Sequence, residues 1–459
     1  MKLHPWLVLL AVSTASAQSS WVSWRVPVHA EIDVAPGEMQ RMPLLPLGTT
    51  LAHSDGGIGY SPGFIIAGGA RMDPDAPSPG TLTPYVTKVA DSDGHIIWRW
   101  QPYENSAVEG TIRQMATLYD GHGDVVVIGY TRADGVDRSL LAMIDYQTGA
   151  TVWRVDGEPG TRGYGLAVDP GGDISATFYG SHRQYAAHYD LDGAPLWSIS
   201  IPDADDAWDD FRIVHSGTFA FIAGHYLQPL PVAESGVQVA LADPGDAQFI
   251  ERYPAVGNSA PIAFDALDLI QAVLLNADGV LRRIDVTGST RWSQLQGSTL
   301  PAIVQALDAT ADSGGLYAAG DVDDGNGRAA EIDRLSVGTG VSEWHTTFAA
   351  EAPRTDSASK ALRSGGSNLL YTWTSEGAAL PRRMHATQID ASSYDVMWQV
   401  DFGSPDPLNE NEPIDIRRAP NNSVFVLALT NEASAESTAT LYKFTGSFTD
   451  DIFVNGLDL

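Results

Sequence analysis

The chain of 459 residues contains no cysteine. That absence excludes disulfides, thiolate nucleophiles, cysteine-ligated metal clusters and covalently attached haem, so stability has to come from burial and strand pairing. Basic residues are scarce as well: Lys and Arg number 27 against 57 Asp and Glu, a formal net charge of −30. A surface of that sign repels nucleic acid and anionic membrane, both of which need a basic footprint, so neither is an expected partner. Solubility is the ordinary use of such acidity. Long apolar runs are missing too, and no stretch is both long and charge-free enough to span a bilayer. Nor does any stretch of useful length keep the helix period.

What apolar sequence there is at the N-terminus is short. Trp6 to Val12 follows Lys2 and His4 and precedes Ala15-Ser16-Ala17, a small-x-small cleavage pattern. The expectation is a signal peptide over residues 1–17 and an exported chain starting at Gln18, in the periplasm, at the cell surface or outside. No cysteine stands at the cleavage site to carry a lipid anchor.

The remainder is repetitive. A turn glycine is followed four residues later by an aromatic: Gly94 and Trp98, Gly149 and Trp153, Gly193 and Trp197, Gly245 and Phe249, Gly288 and Trp292, Gly340 and Trp344. In a seventh copy Tyr394 stands where glycine would, and Trp398 keeps the spacing. The aromatics recur at about 43 to 55 residues, the range of propeller repeats. Before each hairpin lies a second signal, a Gly-, Asn- or Asp-rich turn and a β-branched or aromatic run, and it occurs eight times from Ser61–Gly68 to Asn421–Leu429. Each unit thus supplies about four short strands. The eighth lacks its aromatic strand, and Trp21 to Val28, which alternates and carries Trp24, can provide it. The reading is an all-β, eight-bladed β-propeller of four-stranded antiparallel blades over residues 18–446. The N-terminal strand completes the last blade and removes the open sheet edges. Within the repeat, Asp145, Asp190, Asp285 and Asp390 are expected to bond turn N–H groups, and the tryptophans to pack between blades.

Ala142–Trp153 (AMIDYQTGATVW) and Leu281–Trp292 (LRRIDVTGSTRW) resemble the repeat of pyrroloquinoline-quinone-type propellers. Gly123–Trp153 is similar over its whole length to a propeller repeat of secreted bacterial proteins. The first resemblance implies a tryptophan-docked outer hairpin. That family holds quinone-dependent dehydrogenases and also non-catalytic members that scaffold outer-membrane assembly. The dehydrogenases carry adjacent cysteines beside the quinone and a calcium site of Glu, Asn and Asp. This chain has no cysteine and no matching calcium motif, so the non-catalytic branch is expected, with no cofactor and no metal.

Chemical motifs are few. Gly59-Tyr-Ser61-Pro-Gly63 has the nucleophile-elbow spacing, but Pro62 lacks the N–H that an oxyanion hole needs there. The acidic runs Asp203–Asp210 and Asp321–Gly327 lack the full alternation of a calcium loop and read as solvated loops. His122, His182 and His225 show no paired metal spacing. Arginines form the less expected pattern. Arg71, Arg132 and Arg183 each follow by three residues the glycine that ends a second strand, and Arg113 and Arg162 precede Gly123 and Gly172 by ten. All five belong to loops at one end of the blades, around the funnel. There they would accept a carboxylate or phosphate through the bidentate guanidinium fork. Alternatively each pairs with a neighbouring carboxylate such as Asp73, Asp134 or Asp137. Residues 447–459 form a tail resembling short endings of exported bacterial proteins, which read either as a sorting signal or as a plain disordered end or an apolar tag packed on the first blade. Together these readings favour a non-enzymatic, monomeric binding or scaffolding module for a protein or an extracellular polymer. A polymer hydrolase or lyase using funnel carboxylates is the alternative, and a quinone-dependent dehydrogenase the third.

Overall fold

The computed structural model describes residues 22–27, 51–52, 64–72, 82–90, 92–103, 108–118, 124–169, 171–180, 183–201, 212–216, 219–227, 235–243, 246–254, 263–267, 272–277, 280–295, 303–308, 316–323, 328–348, 354–365, 368–377, 380–403, 412–418, 424–431 and 437–444. The signal segment, Ser61, Gly245, the acidic run 203–210 and the tail lie outside these residues. Among the described residues every regular element is a strand, and no helix is long and apolar enough to cross a membrane.

The strands fall into antiparallel sets of four in chain order. After β1 (Val22–Pro27), the first sheet holds β2 (Leu51–Ala52), β3 (Phe64–Met72), β4 (Leu82–Ala90) and β5 (Ile96–Trp100). The second holds β6 (Glu109–Thr117), β7 (Val125–Ala133), β8 (Val136–Ile144) and β9 (Thr151–Pro159). The third holds β10 (Thr161–Val168), β11 (Ile174–Gly180), β12 (Arg183–Tyr189) and β13 (Pro195–Ile201). The fourth holds β14 (Arg212–Ser216), β15 (Phe219–Leu227), β16 (Ser235–Asp243) and β17 (Asp246–Pro254). The fifth holds β18 (Ala263–Leu267), β19 (Ala272–Ala277), β20 (Val280–Asp285) and β21 (Thr290–Leu295). The sixth set is β22 (Ile303–Asp308), β23 (Leu316–Asp323), β24 (Arg328–Leu335) and β25 (Ser342–Phe348). A single parallel bridge from Arg328 to Asp356 joins it to the seventh, β26 (Arg354–Gly365), β27 (Asn368–Gly377), β28 (Leu380–Asp390) and β29 (Val396–Phe402). The last sheet is β30 (Glu412–Arg418), β31 (Val424–Asn431) and β32 (Ser437–Phe444), with β1 paired antiparallel to β32 at its outer edge. The first strand of each set touches the first strand of the next, and β30 touches β2.

Sheet packing explains the sequence pattern. Leu140 to Ile144 of β8 is continuously apolar because neighbouring sheets bury both of its faces. The outer strand β9 alternates, with Trp153 and Val155 packed inward. Along β7 the side chains go alternately to two interfaces. Val125 and Val127 join Trp98 and Trp100 of the first sheet, while Val126 and Ile128 join Leu166 and Phe178 of the third.

The tryptophans bond across those interfaces. Trp98 Nε1 donates to the Tyr146 carbonyl (3.1 Å), Trp153 Nε1 to that of Leu191 (2.8 Å) and Trp292 Nε1 to that of Val337 (2.9 Å). Each acceptor lies in the hairpin turn of the following set. The turn glycine is the floor of the contact: Gly149 has φ 74°, and a Cβ there would lie 2.7 Å from the Trp98 ring. Tyr394 keeps the positive φ (64°) without being glycine, and its ring stacks on Trp344 with centroids 4.5 Å apart. Gly149→Ala should therefore destabilise the fold by about 1–3 kcal/mol, from the strained φ and the displaced ring. Trp98→Phe, which keeps an aromatic ring but removes the N–H and part of the buried indole surface, should lose about 2–3 kcal/mol. Equilibrium urea unfolding checks both.

Candidate functional site

One end of the second and third sheets carries the arginines. Arg132 sits near the end of β7, and Asp137 near the start of β8. Between them Asp134 and Gly135 adopt φ 55° and 75°, the paired positive values of a tight hairpin turn. The Arg132 guanidinium donates to Asp137 Oδ1 through Nε (2.5 Å) and to Glu109 Oε1 through Nη1 (2.8 Å). Arg162, from the first strand of the next sheet, donates to the other Asp137 oxygen (2.6 Å). The Arg162 guanidinium also lies 4.8 Å from the Tyr130 ring centroid, and that of Arg113 lies 5.9 Å from Tyr130 and 5.2 Å from Tyr164. Burial alone would raise the pKa of Asp137, but its bonds to Arg132 and Arg162 outweigh that and hold it below the usual carboxylate range.

The structure thus sets Arg113 and Arg162 on an aromatic ledge spanning two sheets, with Arg132 joined to it through Asp137. Arg132 pairs with Glu109 and Asp137, and Arg162 with Asp137. Arg183 is exposed at the start of β12, opposite Gly180, in the row that contains Thr161. Arg71 lies on β3 opposite Thr83, and its side chain is outside the described residues.

The opposite end of the third sheet holds a buried polar cluster. His188 Nδ1 is 2.8 Å from Ser175 Oγ, which is 2.9 Å from Nε2 of His215 on β14. Asp169 and Asp173, in the turn between β10 and β11, face the other His188 nitrogen. Trp197 stacks on His188 at 5.2 Å. Burial lowers the pKa of His188 and takes that of His215 down to about 4, so both rings are neutral at pH 7.

A third arrangement has the bond order of a Ser-His-Asp triad. Ser375 Oγ is 2.7 Å from His385 Nε2, and His385 Nδ1 is 2.7 Å from Asp401 Oδ1. Ser375 is only 5% exposed, and the Trp373 ring covers His385 at 3.8 Å. The row ties β27, β28 and β29 together by hydrogen bonds. The acidic run at 321–327 is partly strand: Asp321 is buried on β23 and paired with Arg328, and residues 324–327 lie outside the described residues.

Arg132 and Asp137 are close in sequence, so spacing could suggest that contact, whereas Arg162 reaches Asp137 only when two sheets are brought together. Asp169, Asp173, His188 and His215 could not be found by spacing. They meet across a turn, a third strand and the next sheet, and no local motif joins them.

No protein-family model matches the chain, and no curated protein does. Among solved structures it is similar to the quinohemoprotein alcohol dehydrogenase from Comamonas testosteroni, with a TM-score of 0.52 and 10% identity over 95% of this chain and 77% of that one. It is also similar to a europium-containing methanol dehydrogenase, with a TM-score of 0.49 and 10% identity over 95% of each chain. A third is the WD40 domain of SCAP from fission yeast, with a TM-score of 0.47 and 9% identity over 93% of this chain and 99% of that one. At such identities the likeness is one of fold alone: an all-β propeller of four-stranded antiparallel sheets.

The depressed pKa of Asp137 sets a pH dependence. Its stabilising contribution is complete above the unfolded value of about 3.9 and is lost as pH falls through the lower folded value. Asp137→Asn should therefore destabilise the protein at pH 7, and its deficit relative to wild type should shrink below about pH 4. Urea midpoints across pH 3–7 check this.

Proposed function

We propose that the chain is an exported, non-enzymatic propeller of eight blades, closed by β1 on β32, that binds an acidic protein segment or an acidic extracellular polymer. The observation that carries this reading is the arginine ledge. In a chain with a net charge of −30, Arg113 and Arg162 gather on the rings of Tyr130 and Tyr164, beside Arg132, which shares the Asp137 carboxylate with Arg162. Guanidinium planes held against aromatic faces lose little rotamer freedom when a ligand arrives, and their forked N–H groups match carboxylate and phosphate. Contributions from two adjacent sheets also suit an extended ligand, because the ledge continues past the edge of a single sheet. The eight repeated sets and the antiparallel β1–β32 register support the count and the closure.

Polygalacturonate is a suitable acidic probe, with neutral dextran as control. Calorimetry should show salt-sensitive binding of polygalacturonate by the wild-type protein and none of dextran. Arg113→Gln with Arg162→Gln should weaken polygalacturonate binding by about 10- to 100-fold, the loss of one or two charge-assisted bonds. A melting curve run beside it separates lost binding from lost fold. Equal affinity for the folded variant would remove the ledge from the account.

A further inference from the structure

The second and third sheets place different chemistry at the same positions. In the second sheet Val126 and Met143 oppose each other and Met143 opposes Trp153. In the third sheet Ser175 and His188 oppose each other and His188 opposes Trp197. The pattern continues on the first strand of the following sheet. Val168 completes the apolar cluster around Val126 and Met143, and His215 occupies the matching register beside Ser175 and His188. Three apolar positions of one interface are therefore polar in the next. Burying such groups is unfavourable unless each is bonded, so the replacement needs a compensating partner.

Hydrogen bonding explains only one side of the cluster. Ser175 Oγ has a single proton and lies between His188 Nδ1 and His215 Nε2. If His188 donates to Oγ and Oγ donates to His215, the Nε2 atom of His188 is left with its lone pair facing Asp169 and Asp173. His188 is only 8% exposed, and Nε2 lies 3.7 Å from the Asp173 carboxylate and 3.9 Å from that of Asp169. These separations are beyond hydrogen-bond reach, and Nε2 makes no hydrogen bond among the described residues. A lone pair aimed at two carboxylates is repulsive unless a cation lies between them.

We propose that Asp169, Asp173 and His188 form a binding site for a divalent first-row transition-metal ion, at the end of the third sheet remote from the arginine ledge. The three ligand atoms lie within 4.8 Å of one another. Donor atoms around one such ion, each at roughly 2.0–2.2 Å from it, are roughly 3–4 Å apart. The outer contacts are those that orient ligands. Asp169 Oδ1 accepts the N–H groups of Gly171 (2.7 Å) and Asp173 (3.0 Å), which turns Oδ2 toward the site. The Ser175–His215 pair occupies Nδ1 of His188 and leaves Nε2 toward the carboxylates, and Trp197 holds the ring plane. An imidazole beside two carboxylates suits zinc, manganese or iron(II) better than calcium or magnesium, which take oxygen ligands. The Asp173 side chain is 39% exposed, which opens the remaining coordination positions to solvent.

Zinc chloride titrated into the full chain after chelator treatment tests this by calorimetry, with millimolar calcium and magnesium as competing arms. One zinc per chain should bind, resist both competitors and raise the melting temperature. Asp173→Asn, at a partly exposed position, should weaken binding about 10-fold or more while the apo protein melts unchanged. A second variant, Ser175→Val with His188→Met and His215→Val, installs the apolar set of the neighbouring interface and should fold without binding zinc. The proposal is overturned by absence of zinc binding, by displacement at millimolar calcium, or by wild-type affinity in either variant.

Discussion

The fold depends on one contact repeated between sheets: a tryptophan on the outer strand of one set resting against the hairpin turn of the next. The turn residue under the ring must have no Cβ, or must itself be an aromatic that can stack. Gly149 under Trp98 meets the condition the first way, and Tyr394 beside Trp344 the second. The indole N–H adds direction, because it finds a turn carbonyl only when the two sheets are correctly placed. Burial supplies most of the energy, since each sheet sends alternate side chains of its second strand to opposite interfaces. The docked tryptophan sets the angle and spacing at which that burial happens.

This dependence is why so much of the architecture was legible in the sequence. Gly149 and Trp153 are four residues apart because the turn offers its floor to one sheet and the strand sends its tryptophan to the next. Even the exception at Tyr394 could be seen, since Trp398 keeps the spacing. The site was legible only in part. Asp137 lies five residues from Arg132, so spacing could suggest their pairing, but that Arg162 would share the same carboxylate required two sheets to be brought together. The Asp169–Asp173–His188 cluster left no local signal. A histidine in an apolar strand reads as an ordinary core residue, and the aspartates read as turn formers.

The functional chemistry is where neighbouring repeats differ. Repeated aspartates such as Asp145 and Asp285 bond turn N–H and hydroxyl groups. Among the described residues the second and third sheets depart from the repeat at both ends, cationic and aromatic at one and carboxylate and imidazole at the other, and the seventh carries the Ser375–His385–Asp401 row.

Trp98, Trp153 and Trp292 each tie down the turn of the following sheet, whereas the Trp398 indole bonds Gln388 in its own sheet. Hydrogen exchange on Trp153→Phe tests that tie most directly, because the Trp153 N–H bonds to Leu191 in the turn of the third sheet, 38 residues away in sequence. The amides of Asp190 and Gly193, which close that turn by bonds to Ala194 and Asp190, report its opening. The account predicts faster exchange at those two amides, with β8 and β9 keeping their wild-type protection. Faster exchange confined to the second sheet, with the turn of the third unaltered, would contradict it.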